Sequence, residues 1–136
     1  YYPFLHASRF GRGVSLALDI VSPTYDCADR SEVPYLEATA TLDDGAGTMT
    51  IFAVNRHQTD ELTIDADIRA FAGWSIVGHN VLEHPNGQAA NTAERPDTVV
   101  PHDQGNASIE DTLLHATLPP MSWNVIRLQK MEQPVR

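Results

Sequence analysis

The 136 residues carry nine Lys and Arg against eighteen Asp and Glu, for a formal net charge of -9, and Lys130 is the sole lysine. Binding a phosphate backbone or an anionic membrane surface needs clustered cations, whereas the arginines here stand singly from Arg9 to Arg136, so neither nucleic acid nor membrane is expected as a partner. A hydrophobic content of 42% and this length fit one folded domain over residues 1–136, and no apolar run nears the ~20 residues of a membrane-spanning helix.

Taken in chain order, the pattern is one of short strands. In Val14-Ser15-Leu16-Ala17-Leu18-Asp19-Ile20 the even positions are large and apolar and the odd ones small or polar, which predicts a strand with one buried face. Leu36, Ala38, Ala40 and Leu42 repeat that alternation. Asp43-Asp44-Gly45-Ala46-Gly47 supplies turn chemistry, and Met49 to Asn55 reads as the returning strand of a hairpin. Residues 62–68 again alternate, residues 75–83 form a further candidate, and residues 113–118 and 123–128 read as a closing pair joined through Pro119-Pro120. No segment shows a capped 3.6-residue stripe, so no helix is expected. The fold class is all-β, with about seven to nine short antiparallel strands in a sandwich or jelly roll. Residues 85–107 break the regular spacing as a long polar loop, and loops of that length are usually functional or held against another domain.

Groupings able to carry chemistry each meet a geometric objection. His79, Glu83 and His84 suggest a metal site, but His79 and His84 have opposite strand parity and point to opposite faces, leaving two ligands at most. Asp65 and Asp67 share one strand face, whereas glycoside hydrolysis needs two carboxyls about 5 to 9 Å apart that oppose each other across a substrate. There is no Gly-x-Ser-x-Gly elbow, and Cys27 lies between Asp26 and Asp29, surroundings opposite to those of a nucleophilic thiol. As the single cysteine, Cys27 forms no internal disulfide, which suits a reducing cytoplasm. Gly11-Arg12-Gly13 precedes a strand and opens no helix, so it is no phosphate loop. Trp74, beside Gly73, is the candidate for stacking on a sugar ring, although with 7% aromatic residues most rings are needed for the core.

Several ordered stretches carry a family resemblance. They begin with His6-Ala7-Ser8-Arg9-Phe10-Gly11-Arg12-Gly13, Ser22-Pro23-Thr24-Tyr25-Asp26 and Val33-Pro34-Tyr35-Leu36-Glu37. They continue through Thr50-Ile51-Phe52-Ala53-Val54-Asn55-Arg56 and Val81-Leu82-Glu83-His84 into Ala90-Asn91-Thr92 and Val100-Pro101-His102. The last is Leu118-Pro119-Pro120-Met121-Ser122-Trp123-Asn124-Val125-Ile126-Arg127-Leu128. Together they resemble the C-terminal region of family 51 glycoside hydrolases, the intracellular α-L-arabinofuranosidases.

The resemblance implies a β-sandwich of jelly-roll type that follows a catalytic (β/α)8 barrel in the same protein. It implies a retaining hydrolysis of terminal α-L-arabinofuranosyl residues of arabinose-containing oligosaccharides and polysaccharides. Both catalytic Glu residues belong to the barrel, no metal or organic cofactor is implied, and the intact enzyme is expected to be a cytoplasmic homo-oligomer. The Asn-Glu dipeptide that marks the family's acid/base is not present, so no catalytic residue carries over to this chain. Lacking an initiator Met, the chain is expected to be part of a longer protein. In the family the sandwich takes a strand from the extreme N-terminus of the whole protein; without it, a sheet edge and part of the core would be exposed and the chain alone would aggregate.

The expected role is structural support of the barrel, with Asn91, Thr92 and His102 in the long loop as candidate residues at a domain or subunit interface. A carbohydrate-binding module using Trp74 and a free-standing sandwich interaction domain are the alternatives.

Overall fold

A computed structural model of the chain describes residues 1–131. It opens with a helix that the sequence pattern does not predict, α1 (Tyr2–Phe10). Nine residues are too few to show a periodic stripe, and a helix this short is marginal in water by itself. Pro3 sits in the first turn, where its missing N–H costs nothing. Tyr2, His6 and Phe10, spaced i, i+4, share one face, and that face lies on a β-sheet. Trp123 Nε1 donates to His6 Nδ1 at 3.0 Å, the Arg127 guanidinium carbon lies 4.1 Å from the Phe10 ring centroid, and Thr41 Oγ1 donates to the Phe10 carbonyl at 3.3 Å. Packing, not propensity, holds this helix.

Ten strands follow among the described residues: β1 (Val14–Leu16), β2 (Thr24–Cys27), β3 (Arg30–Pro34), β4 (Leu36–Asp43), β5 (Thr48–Asn55), β6 (Leu62–Asp67), β7 (Trp74–Leu82), β8 (Ser108–Glu110), β9 (Leu113–Leu118) and β10 (Ser122–Lys130). A 3-10 turn, Arg69–Phe71, separates β6 from β7. The strands form a five-stranded sheet in the order β1-β4-β5-β10-β7, a three-stranded sheet β6-β9-β8, and a separate β2-β3 hairpin. All pairings are antiparallel. The two larger sheets face each other, and the all-β sandwich expected from the alternation is the architecture found.

Parity along the strands builds the core. Register pairs Ile126 with Ile51 and Val125 with Phe52, so neighbouring residues of β5 and β10 point to opposite faces of the sheet. Met49, Ile51 and Ala53 of β5 and Ile126 and Leu128 of β10 point inward, against Ile64 of β6 and Leu114, Ala116 and Leu118 of β9. The outward set, Phe52 stacked on Trp123 at 5.6 Å together with Val125, is also buried or half-buried, partly beneath α1. Central strands buried on both faces read as continuous apolar runs. Gly13 lets the chain leave the helix and enter β1: its φ is 91°, and a Cβ there would lie 2.0 Å from the Leu42 carbonyl oxygen.

Two further sequence expectations are corrected. The strand expected over residues 14–20 ends at Leu16: β1 pairs with β4 through three residues only, and residues 17–20 leave the ladder although β4 continues to Leu36. Leu18 and Ile20 are exposed in consequence. Residues 113–118 and 123–128 are strands but not a pair: β9 lies between β6 and β8, and β10 between β5 and β7. Pro119-Pro120, without N–H groups to extend a ladder, carry the chain across the core from one sheet to the other.

Candidate functional site

The two ends of the sandwich differ, and each carries a candidate site. At one end both sheets stop without a neighbour among the described residues: β1 pairs there only with β4, and β6 only with β9. Between these edges lies an apolar groove of about 630 Å³, lined by Ala38, Ala40, Met49, Ile51, Ile64 and Ala66 among others. Its floor is therefore the core itself. Residues 17–21 run along its rim, with Val21 95% exposed.

At the other end the β7 edge is covered by the last part of the long loop. The backbones of Val81 and His102 exchange hydrogen bonds of 2.8 and 2.9 Å. Gly105 N donates to the His79 carbonyl at 3.0 Å, and Ala107 N donates to His79 Nδ1 at 3.2 Å. Asp103 Oδ1 accepts from His79 N at 3.2 Å. Because Nδ1 is an acceptor, the imidazole proton sits on Nε2, which donates to Asn124 Oδ1 at 3.0 Å. Asn124 in turn donates through Nδ2 to Ser122 Oγ at 2.8 Å and to the Ala53 carbonyl at 3.3 Å. Burial pushes the His79 pKa below its ordinary 6.5, outweighing the Asn124 hydrogen bond and the nearby Asp103 charge, which act in the opposite direction.

The three loop residues singled out from the sequence all organise this segment. Asn91 mimics a paired strand residue: its Nδ2 donates to the Val99 carbonyl and its Oδ1 accepts from Val99 N, both at 2.7 Å. Thr92 and Arg95 close a turn within that span, through Thr92 N to the Arg95 carbonyl and Arg95 N to Thr92 Oγ1, both at 3.1 Å. His102 starts the pairing along β7. All three residues are exposed on this chain. Trp74 is half-buried, packs against the core, and meets Phe71 edge-on at 5.7 Å and 82°.

The remaining candidates are dispersed. His79 faces the interior, whereas His84 Nδ1 accepts from Asn86 N at 3.0 Å, and no group of three or more His, Cys, Asp or Glu is placed to hold a metal among the described residues. Asp65 pairs across strands with His115, and Asp67 pairs with Arg69 at 2.6 Å. The Arg69 hydrogen bonds hold the Asp67 carboxyl below its usual range. Sequence reasoning missed His6, buried against Trp123, and a stack in which Tyr35 lies 4.7 Å from Tyr25 and 4.5 Å from His57. Neither has a local signature: His6 and Trp123 are 117 positions apart.

Comparison with known proteins agrees with this geometry. Residues 1–122 match the family model of the α-L-arabinofuranosidase C-terminal domain. The chain is 46% identical over 130 residues to the intracellular exo-α-(1→5)-L-arabinofuranosidase of Halalkalibacterium halodurans, covering 96% of this chain and 26% of that protein. It is 44% identical, with the same coverage, to intracellular exo-α-(1→5)-L-arabinofuranosidase 1 of Bacillus subtilis. Among solved structures it superposes on AbfB, a family 51 α-L-arabinofuranosidase from Bifidobacterium longum, with a TM-score of 0.84 at 30% identity, covering 92% of this chain and 24% of that one. The family 51 arabinofuranosidase of Xanthomonas axonopodis pv. citri gives a TM-score of 0.69 at 22% identity, a likeness of fold.

The fold and its two unlike edges define an accessory β-sandwich. The chain belongs to the C-terminal domain family of the family 51 α-L-arabinofuranosidases. It spans about a quarter of the length of the relatives it matches. No helix among the described residues is long and apolar enough to cross a membrane.

Proposed function

We propose that this chain is the supporting, non-catalytic sandwich of an α-L-arabinofuranosidase whose catalytic (β/α)8 barrel lies in the same protein. The parent enzyme releases terminal α-L-arabinofuranosyl residues from arabinose-containing oligosaccharides and polysaccharides in the cytoplasm, and it works as a homo-oligomer. The observation that carries this reading is the open groove. An unpaired β6 edge beside an apolar floor of core side chains has the shape and chemistry to receive one extended segment. Such a segment, drawn from elsewhere in the same protein, would complete the three-stranded sheet and tie the sandwich to the rest of the enzyme. Asn91, Thr92 and His102 hold the long loop in one shape, which suits it for contact with the barrel or a neighbouring subunit. The position of Trp74 against Phe71 and the core favours this supporting role over a sugar-stacking one.

The test is to express residues 1–136 alone and within the intact protein, then compare size-exclusion profiles and hydrolysis of p-nitrophenyl α-L-arabinofuranoside. The isolated chain is expected to self-associate and to be inactive, and the intact protein to be monodisperse and active. An isolated chain that is monodisperse with a cooperative melt would refute the role of the groove. An intact protein inactive on this substrate would refute the enzymatic assignment.

A further inference from the structure

His79 occupies an unusual place for a titratable group. It lies on β7 facing the core, is 3% exposed, and both of its ring nitrogens are engaged. From β10 it faces the neutral Asn124, and from the loop it faces the backbone of Gly105 and Ala107 and the carboxylate of Asp103, the one charged group acting on it among the described residues. The loop passes so close that a Cβ on Gly105 would lie 1.9 Å from His79 Cγ. Only glycine can cross the ring at this height without moving one or the other.

We propose that neutral His79 is an acid-sensitive latch, and that protonating its Nδ1 releases residues 102–107 from the β7 edge. The chemistry is local and balanced: one proton from solvent adds to the Nδ1 lone pair, and no other bond is made or broken. Once protonated, Nδ1 is a donor facing the Ala107 N–H, so an attractive contact becomes two opposed donors inside a buried site. The Nε2 bond to Asn124 survives, because Nε2 donates in both states. The strain therefore falls on the loop and spares β10. Asp103 is the group that can receive the new charge, but its carboxylate is engaged with the His79 backbone N–H, so pairing with the ring requires the loop to move. The sign follows from the depressed pKa: the latch is complete above the ordinary histidine value of 6.5 and is lost as pH falls through the lowered value. Released, the segment frees the β7 edge and removes the anchor of the whole 85–107 loop. This inference does not depend on the enzymatic reading, since it concerns only the sandwich.

The experiment is hydrogen exchange by mass spectrometry on the intact protein between pH 7.5 and pH 4.5, corrected for the intrinsic pH dependence of exchange. Protection of peptides covering 102–108 is compared with that of β5. The expected result is that loop protection falls relative to β5 by up to about tenfold per pH unit once the latch titrates, the slope of a single proton. G105A is expected to leave the loop unprotected already at pH 7.5 and to abolish the acid step, without moving β5. D103N, which removes the neighbouring charge, is expected to shift the step to lower pH. Loop protection that stays parallel to β5 throughout the range, or an acid step that persists in G105A, would overturn the latch.

Discussion

At the β7 end of the sandwich the chain closes its own edge. Residues 102–107 supply backbone partners to Val81 and His79, and the imidazole fastens the loop from the inside. At the β1/β6 end nothing in the described residues does the same, and Ala38, Ala40 and Ile64 line an open groove. An unpaired β-edge with apolar surface beside it invites pairing with another chain, and natural sheets cover, shorten or charge such edges. This molecule covers one edge with its longest loop and leaves the other apolar. The contrast is what the proposed supporting role rests on: the second edge borders the core, where a sheet edge facing water is ordinarily shortened, charged or covered.

Three predictions for the intact protein would break or sharpen that contrast. The largest effect is expected from Ile126→Ala. Ile126 is fully buried and sits in register between Ile51 of β5 and His79 of β7, so the truncation leaves a cavity at the closed end. A loss of about 2–5 kcal/mol is expected from chemical denaturation. A loss below about 1 kcal/mol would mean that this end is no better packed than the open one.

The intermediate effect is expected at the groove. Ala38→Glu places a carboxylate among the groove-lining side chains, whereas Thr39→Glu places one on the solvent side of the same strand. If the groove is filled in the intact protein, Ala38→Glu costs about 1–3 kcal/mol or more through overpacking and desolvation. The neighbouring Thr39→Glu stays within about 0.5 kcal/mol. Equal, small effects at both positions would show the groove to be open to water in the whole protein, and the contrast between the ends would lose its meaning.

The smallest effect belongs to Asn91→Ala. It removes two exposed hydrogen bonds to Val99, for a local loss of about 1 kcal/mol. Exchange protection over residues 91–99 should fall while the melting temperature barely moves. A drop of many degrees would mean that the loop bears on the global fold more heavily than its exposed position suggests.

Much of this architecture is legible along the chain, and the failures share one cause. The strands β4, β5, β6, β7, β9 and β10 all appear in the alternation, because parity is a property of neighbouring residues. The hairpin β2-β3 and the short β8 escaped notice, since Thr24-Tyr25-Asp26-Cys27 and Ser108-Ile109-Glu110 offer no apolar face of useful length. The overextension to Ile20 came from alternation that continues after the chain has left β4, which local parity does not register. At the candidate sites, the loop residues Asn91, Thr92 and His102 were visible as family-like residues in an irregular stretch. The role of His79 was not visible, because its partners Asp103, Ala107 and Asn124 lie on a loop and a strand 24, 28 and 45 positions away.

The sequence by itself determined the all-β class, the faces of the main strands and the net negative charge. These follow from side-chain alternation and charge count, both local or additive. The tertiary structure alone decided that β9 and β10 lie in opposite sheets, that residues 2–10 form a helix held by Trp123, Arg127 and Thr41, and that one sandwich edge closes on His79 while the other stays open. Each of these depends on which distant segment supplies a hydrogen-bond partner or an apolar surface, and that is settled only when the two sheets pack.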